Sequence, residues 1–326
     1  WNEGKYNHVF VASISDDVSK AKDLLDGQKF DTPQKPSGGS EDFIWSSDSS
    51  QLLYVCKKKS GKEYATSTNT DIYTFDLTSG KTENITEGMM GYDVNPKFSP
   101  DGKSLLWQSM ARDGYEADKN DVVVMDWVSK KKTNLTKNWD ESVVGDVAWS
   151  NDSKMIYFTT AKRGTKQFFV LNPKDAKVKQ ISDGAFDVNE IVAFQNDFAF
   201  VTRTDINHNA DLFKLNLKDG TMLQITQVNK ENYANLTPSK SELKMVKTSD
   251  GKEMGVWFHY PPNFYPNKKY PTLLYCQGGP QSALTQYFST RWNFALMAAN
   301  GYIVVAPNRR GMPGWGTKWN EDISKD

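Results

Sequence analysis

No charge of either sign is left over in this chain: 40 Lys and Arg stand against 40 Asp and Glu. A neutral chain lacks the electrostatic footprint of a nucleic-acid or anionic-membrane binder, so neither partner is expected. Histidine is scarce. His8, His208 and His259 are the only three and show no metal-ligand spacing, so no metal site and no cofactor are expected. The two cysteines, Cys56 and Cys276, lie far apart, each in an apolar strand-like run, and read as buried free thiols rather than a disulfide. No apolar run nears the ~18 residues of a membrane span. The chain opens on Trp1 with no signal peptide, and is expected to begin inside a longer protein.

Aromatic residues, by contrast, are plentiful: 13% of the chain, with 10 Trp and 14 Tyr, which suits a large β-rich protein. At 326 residues the chain is too long for one ordinary core, and two domains are the default expectation.

The first three quarters repeat. Phe43–Val55, Pro96–Trp107, Val147–Phe158 and, more degenerately, Val192–Phe200 share an aromatic strand end and a second, apolar strand. In the first three a Ser-x-Asp-x turn joins the two. Their aromatic anchors are Trp45, Phe98, Trp149 and Phe194, roughly 45–53 residues apart. A third strand follows in each unit (Asp71–Asp76, Asp121–Asp126, Gln167–Leu171, Asp211–Asn216), and a fourth closes on Asn84-Ile85-Thr86, Asn134-Leu135-Thr136, Gln180-Ile181-Ser182 or Gln224-Ile225-Thr226. Four strands per unit is the pattern of a β-propeller blade. His8–Ala12 and Ala21–Asp26 fit the second half of an earlier blade, making about four and a half, with further blades expected upstream of Trp1. The Asn-x-Thr/Ser triplets at Asn84, Asn134, Asn151 and Asn235, three of them at blade ends or blade-like ends, are read as turn chemistry rather than glycosylation acceptors.

One loop is richer than the rest. Ser109–Lys119 packs Arg112, Asp113, Tyr115, Glu116 and Asp118 between strands two and three of its blade. It reads either as a solvated polar loop or as one presenting Glu116 to a cationic group and Arg112 to an anionic one.

Beyond about residue 240 the pattern changes. Leu243–Lys247 and Gly255–Tyr260 flank the hairpin turn Ser249-Asp250-Gly251. Thr272–Cys276 reads as a fully buried strand ending in Gln277-Gly278-Gly279-Pro280. Apolar positions Phe288, Trp292, Leu296 and Ala299 fall at helical spacing ahead of Gly301, a C′ glycine, and Tyr302–Ala306 reads as a second buried parallel strand. Strand, helix, strand is a βαβ unit, and ligands of such sheets bind at the carboxyl ends of the strands. Glycine-rich loops stand at both ends: residues 277–280, and Asn308-Arg309-Arg310-Gly311 with Gly314-Trp315-Gly316.

This ordered set resembles the prolyl oligopeptidase family of serine peptidases across essentially the whole chain, and within it the branch of dipeptidyl and acylaminoacyl peptidases, from the form of the 114–119 loop. The resemblance implies a mainly β protein: a β-propeller over 1–240, incomplete at its N-terminus, then the beginning of an α/β-hydrolase domain over 241–326. It implies hydrolysis of short peptides, with dipeptides released from a free N-terminus and the propeller as gate. Gln277, Gly278, Gly279 and Pro280 become an oxyanion-side loop, with Gln277 where the family more often has His or Tyr. Glu116, Arg112, Tyr115 and Arg310 become candidates for substrate binding, Arg310 equally for bracing its loop. No Gly-x-Ser-x-Gly occurs in the chain. No catalytic Ser, Asp or His is therefore assigned in it; the triad is expected beyond Asp326, as is any surface for oligomerisation. The rival expectation is a propeller binding module with a vestigial hydrolase segment.

Overall fold

The computed structural model describes residues 4–35, 38–279 and 281–324. They fall into two compact units, Trp1–Asn138 and Trp139–Asp326. The protein is mainly β. In the first unit, β1 (Phe10–Val11) pairs with β2 (Lys22–Asp23), followed by two four-stranded antiparallel sheets. One is β3 (Phe43–Trp45), β4 (Gln51–Cys56), β5 (Asp71–Asp76) and β6 (Thr82–Asn84); the other is β7 (Asp93–Phe98), β8 (Ser104–Ser109), β9 (Asp121–Asp126) and β10 (Lys132–Asn134). The second unit begins with two more: β11 (Val147–Trp149), β12 (Ile156–Lys162), β13 (Thr165–Asn172) and β14 (Lys177–Gln180), then β15 (Asp187–Gln195), β16 (Phe198–Asp205), β17 (His208–Asn216) and β18 (Met222–Gln224). These sheets are the four propeller blades expected from the repeat, and β1–β2 is the partial one.

Local chemistry explains why the same blade forms four times. At the turn between the first two strands, Ser46, Ser99 and Ser150 each donate to an aspartate two residues on (Asp48, Asp101, Asp152) at 2.6–2.7 Å. The next residue takes positive φ in all four blades: Ser49, Gly102, Ser153 and, in the blade without the serine, Asn196. At the far end, the hydroxyl of Thr86, Thr136, Ser182 or Thr226 accepts the backbone N–H of Ile72, Val122, Phe168 or Leu212 at 2.8–2.9 Å. The same hydroxyl donates to Asp71, Asp121, Gln167 or Asp211 at 2.6–3.0 Å. One hydroxyl just past the fourth strand thus latches it to the third. Asn84 and Asn134 accept the N–H of these threonines at 3.0 and 3.1 Å, which is the turn role read for those triplets.

Apolar residues on alternating faces fill the space between adjacent blades. Leu53, Val55 and Ile72 meet Leu105, Trp107, Val123 and Met125 in the first unit, while Tyr157 and Phe168 meet Val188, Ala199, Val201 and Leu215 in the second. Each fully buried side chain of this size contributes roughly 1.5–3 kcal/mol.

The remainder of the second unit is a mixed sheet in the order β19 (Lys240–Lys247), β20 (Glu253–Tyr260), β22 (Ile303–Pro307), β21 (Thr272–Leu274). β21 and β22 are parallel, with Thr272 opposite Ile303, and the connection carries the expected helix. That helix, α3 after α1 (Gly61–Thr66) and α2 (Lys230–Tyr233), spans Phe294–Ala299 and precedes α4 (Thr317–Glu321). Asn293 caps it by accepting the Leu296 N–H, and Gly301, at φ 89°, closes it by donating to Ala298 O.

Three expectations are corrected here. Thr272–Cys276 is not a buried strand. β21 lies at the sheet edge, Leu274 is 64% exposed, and α3 packs on β20 and β22 instead. Cys276 is accordingly exposed, whereas Cys56 is buried. The helix buries Phe294 and Ala298 against Trp257, Val304 and Ala306, leaving the expected face of Trp292, Leu296 and Ala299 exposed. Helical spacing identifies a stripe but not which stripe meets the sheet. β22 is buried on alternate positions only, Val304 and Ala306.

Replacing Thr136 with Val keeps its shape but leaves the Val122 N–H without its acceptor and takes one of three donors from Asp121, which keeps Asn134 and Lys119, and should cost about 1–3 kcal/mol in urea unfolding. Thr136→Ser should cost distinctly less; equal losses would refute the latch. Asp93 offers a second test. Burial pushes its carboxyl up to about 7 from an ordinary 3.8, against hydrogen bonds from Ser109 and Trp107 that lower it. A folded-state value above the unfolded one means that the group's contribution to stability is full in acid and lost as pH rises through about 7. The urea midpoint of the wild type should therefore drop relative to Asp93→Asn between about pH 5 and about pH 8. A constant difference over that range would rule the effect out.

Candidate functional site

β21 runs out at Leu274, with Tyr275 N–H still bonded to Val305 O at 2.8 Å, and the chain turns outward. Gly279 takes φ 60°, which favours glycine; a Cβ at Gly278 or Gly279 would meet open space. Both residues are exposed, and their N–H groups make no hydrogen bond among the described residues. Pro280 lies outside the described residues. The Gln277 amide donates to Ser282 Oγ at 3.1 Å, so in this conformation that side chain is turned along its own loop.

The loop is pinned from the neighbouring strand. Arg309 donates to Gln277 O at 2.8 Å and to Arg310 O at 2.9 Å. Asn308, fully buried, clamps Leu284 through both amide atoms, accepting its N–H and donating to its carbonyl, each at 2.9 Å. The 308–311 segment is itself held by α4, where Trp319 Nε1 donates to Asn308 O and Arg309 O at 3.2 and 3.0 Å.

Arg310 points elsewhere. It pairs with Asp250 in the β19–β20 turn and with Asp322 at 3.3 Å, and covers the Trp319 ring at 5.3 Å. Hydrogen bonds from Thr248 and then Arg310 hold the Asp250 carboxyl down at about 2. Of the two roles expected for Arg310, bracing is the one its contacts serve.

Carboxylates from the blade side of the second unit reach both glycine-rich loops. Asp187, first residue of β15 and 1% exposed, accepts Thr285 Oγ1, Gln286 N at 3.1 Å and Lys166 N at 2.8 Å. Burial pushes its carboxyl up to about 6, while those donors pull it down. Around the other loop, Asp140 accepts Thr317 N at 3.0 Å and Glu141 accepts Gly316 N at 3.2 Å. Arg163 N–H bonds Gly314 O at 2.8 Å, and a Cβ on Gly314 would lie 2.9 Å from the Ala161 carbonyl carbon, so this loop needs its glycine.

The Ser109–Lys119 loop belongs to the first unit. Its organiser is Asp118, with 5% side-chain exposure, which accepts the N–H groups of Ala111, Arg112 and Lys119 at 2.8–2.9 Å and pairs with the Arg112 guanidinium at 2.6 Å. Arg112 covers the Tyr115 ring at 4.1 Å. Asp113 ties the loop to the preceding blade through Ser67 Oγ, Thr68 N and Asn69 N at 2.6–3.1 Å. Glu116 is exposed on this frame, with its field acting on the buried Lys57. Glu116, an exposed carboxylate with no ion pair among the described residues, on a loop that Asp118 and Asp113 hold in place, can receive a cationic group.

A hydroxyl–imidazole pair among the described residues can be set aside. Ser241 Oγ lies 2.8 Å from His259 Nδ1. His259 is fully buried, stacked on Phe294 at 4.9 Å, and burial lowers its pKa to about 4. No substrate reaches such a ring. Among the described residues no group of three or more His, Cys, Asp or Glu could hold a metal, and no helix is long and apolar enough to cross a membrane.

Spacing alone could not separate Arg309 from Arg310, which sit side by side in the same motif. Asp187 carries no sequence signal beyond being a polar residue at a strand end, and Asn308 stood in a noted motif without a role; what each does follows from partners distant in the chain.

Comparison with known proteins adds three findings. Residues 40–257 match the TolB beta propeller domain and residues 287–326 match the prolyl oligopeptidase family. The chain is 45% identical over 320 residues to the dipeptidyl-peptidase 5 of Porphyromonas gingivalis, covering 98% of this chain and 46% of that protein. It is 44% identical over 322 residues to that of Porphyromonas endodontalis, with the same coverage of 98% and 46%. It thus spans a little under half the length of these curated relatives. The fold is similar to that of the acylaminoacyl peptidase of Pyrococcus horikoshii, with TM-score 0.69 at 20% identity over 85% of this chain and 41% of that one.

The two thiols give a direct check on the corrected edge. Cys56 is fully buried, and burial pushes its pKa up to about 12. A thiol reagent applied to the folded chain at neutral pH should modify Cys276 alone; rapid modification of both would contradict the placement.

Proposed function

We propose, on the premise that this chain belongs to the TolB β-propeller family over residues 40–257 and, from residue 287, to the prolyl oligopeptidase family, that it is the propeller and first hydrolase strands of a serine exopeptidase. Residues 1–240 form the propeller gate and 241–326 begin the hydrolase domain. The reaction is release of dipeptides from peptides with a free N-terminus. Two relatives sharing 45% and 44% identity bear the name dipeptidyl-peptidase 5, which supports that choice.

The observation that carries the proposal is the Arg309–Gln277 hydrogen bond. It ties together the glycine-rich loops at the carboxyl ends of two parallel strands, where α/β enzymes place their chemistry. Peptide hydrolysis through an acyl-enzyme develops negative charge on the scissile carbonyl oxygen. Donors aimed at that oxyanion contribute about 3–4 kcal/mol each. The N–H groups of Gly278 and Gly279 are such donors, whereas the Gln277 amide is engaged by Ser282. Glu116 receives the substrate's free ammonium, Tyr115 and Arg112 shape the same subsite, and Arg310 braces the second loop. The 326 residues hold no Gly-x-Ser-x-Gly, so the Ser-Asp-His triad is assigned to residues outside them.

The test has two arms. The 326-residue chain alone should hydrolyse no dipeptidyl reporter, and fluorophosphonate-sensitive turnover by it would refute the assignment of the triad. The full-length protein should hydrolyse reporters with a free amine. There Glu116→Gln should raise KM for those reporters by about 10- to 100-fold, the worth of a hydrogen bond to a charged group, and spare acylated ones. Equal loss on both substrate types would refute the amine anchor.

A further inference from the structure

Of the groups that hold the 277–286 loop, one comes from a blade sheet. Arg309 fixes its start at Gln277 O, Ser282 takes the Gln277 amide, and Asn308 clamps Leu284. All of these lie in or beside the βαβ unit. The fourth tie is Asp187, from the first strand of the last blade, which grips Thr285 and Gln286 immediately after Leu284. The loop bearing the Gly278 and Gly279 donors is therefore pinned at one end by Arg309 and at the other by Asn308 and Asp187.

The chemistry of that grip is unusual for a purely structural contact. Asp187, Thr285 and Gln286 are 1%, 8% and 2% exposed. Burying a carboxylate is costly, and a well-packed apolar pair in its place is often as stable or more so. What a carboxylate adds is directed acceptors. One oxygen of Asp187 takes the backbone N–H groups of Lys166 and Gln286, and the other takes the Thr285 hydroxyl. Lys166 N belongs to β13 and Asp187 to β15, so the carboxylate joins two blade strands to the loop at one point. Lys166 supplies the nearest opposing charge; its own ammonium donates to Asn189 O at 3.3 Å.

We propose that Asp187 is a positioning residue through which the last blade sets the register of the Gln277–Gln286 loop, and with it the direction of the Gly278 and Gly279 N–H groups. The catalytic half of this assignment rests on the peptidase function proposed above; the mechanical half does not. A blade residue fixed to the oxyanion-side loop makes the propeller part of the catalytic frame as well as a gate, because any shift of β15 is transmitted to the loop through two hydrogen bonds.

Three variants test it: Asp187→Asn, which exchanges one acceptor oxygen for a donor; Thr285→Val, which removes the hydroxyl at constant shape; and Thr285→Ser, which restores it. Hydrogen exchange on the 326-residue chain should show the amides of residues 284–286 exchanging about 10- to 100-fold faster in Asp187→Asn and Thr285→Val, with the interior of β16 and β17 as protected as in wild type. In the full-length protein, kcat per fluorophosphonate-titrated serine should fall about 10- to 100-fold in the same two variants, KM for a dipeptidyl reporter should stay within about twofold, and Thr285→Ser should behave as wild type. Unchanged exchange at 284–286, or a rise spread equally over β15–β18, would overturn the positioning role. Faster local exchange with unaltered kcat would overturn its catalytic consequence. A full-length wild type without turnover would overturn the peptidase function and the catalytic half together, while the exchange comparison would still decide whether Asp187 holds the loop.

Discussion

A hydroxyl that accepts one backbone N–H and donates to a side chain fifteen residues earlier is the contact on which each blade depends. The latched N–H of the third strand, on Ile72, Val122, Phe168 or Leu212, would otherwise lack an acceptor from the short fourth strand. Leaving it unpaired would cost roughly 1–3 kcal/mol. Thr86, Thr136, Ser182 and Thr226 supply the acceptor, and Asp71, Asp121, Gln167 and Asp211 orient the hydroxyl. Because latch and latched residue lie in one blade, every blade closes by itself, and the apolar faces left over can only be covered by the next blade. Trp107 and Phe168, each fully buried, sit on those faces.

The end of the second unit that carries the glycine-rich loops reverses this logic. Its contacts are long-range, and two of its three carboxylates, Asp187 and Glu141, are buried, while Asp140 is exposed. Asp187, Asp140 and Glu141 each take backbone N–H groups from segments about one hundred or more residues away. Buried carboxylates of this kind add little net stability, but they fix where a glycine-rich backbone lies. Glycine permits the conformations of Gly279, Gly314 and Gly316, all at positive φ, and the surrounding acceptors choose among them. Gly278 and Gly279 are exposed, and their N–H groups have no hydrogen-bond partner among the described residues.

Much of this was legible from residue order. The blades, their strand pairing, the β19–β20 hairpin, the C′ role of Gly301 and the parallel β21–β22 pair follow from turn chemistry and apolar periodicity, which act within a few residues. Other features were not. Thr272–Cys276 has the composition of a buried strand yet lies at a sheet edge, because composition says nothing about which flank of a sheet a strand joins. The helix presents Phe294 and Ala298 rather than Trp292 and Leu296, because the choice between two apolar stripes is made by the partner surface. The polar loop of residues 109–119 was recognisable as special, but not that Asp118 shapes it and leaves Glu116 exposed.

The sequence by itself determined the repeat, the blade, the family and the two glycine-rich loops. Each is written in contacts between residues close in the chain, where spacing and side-chain type are sufficient. Only the tertiary structure decided that Arg309 rather than Arg310 touches the Gln277 loop, that Cys276 is exposed, and that Asp187 grips Thr285 and Gln286. Those outcomes depend on which distant segments come to share a position. A side chain's reach of a few ångströms is settled by packing, which no local pattern records.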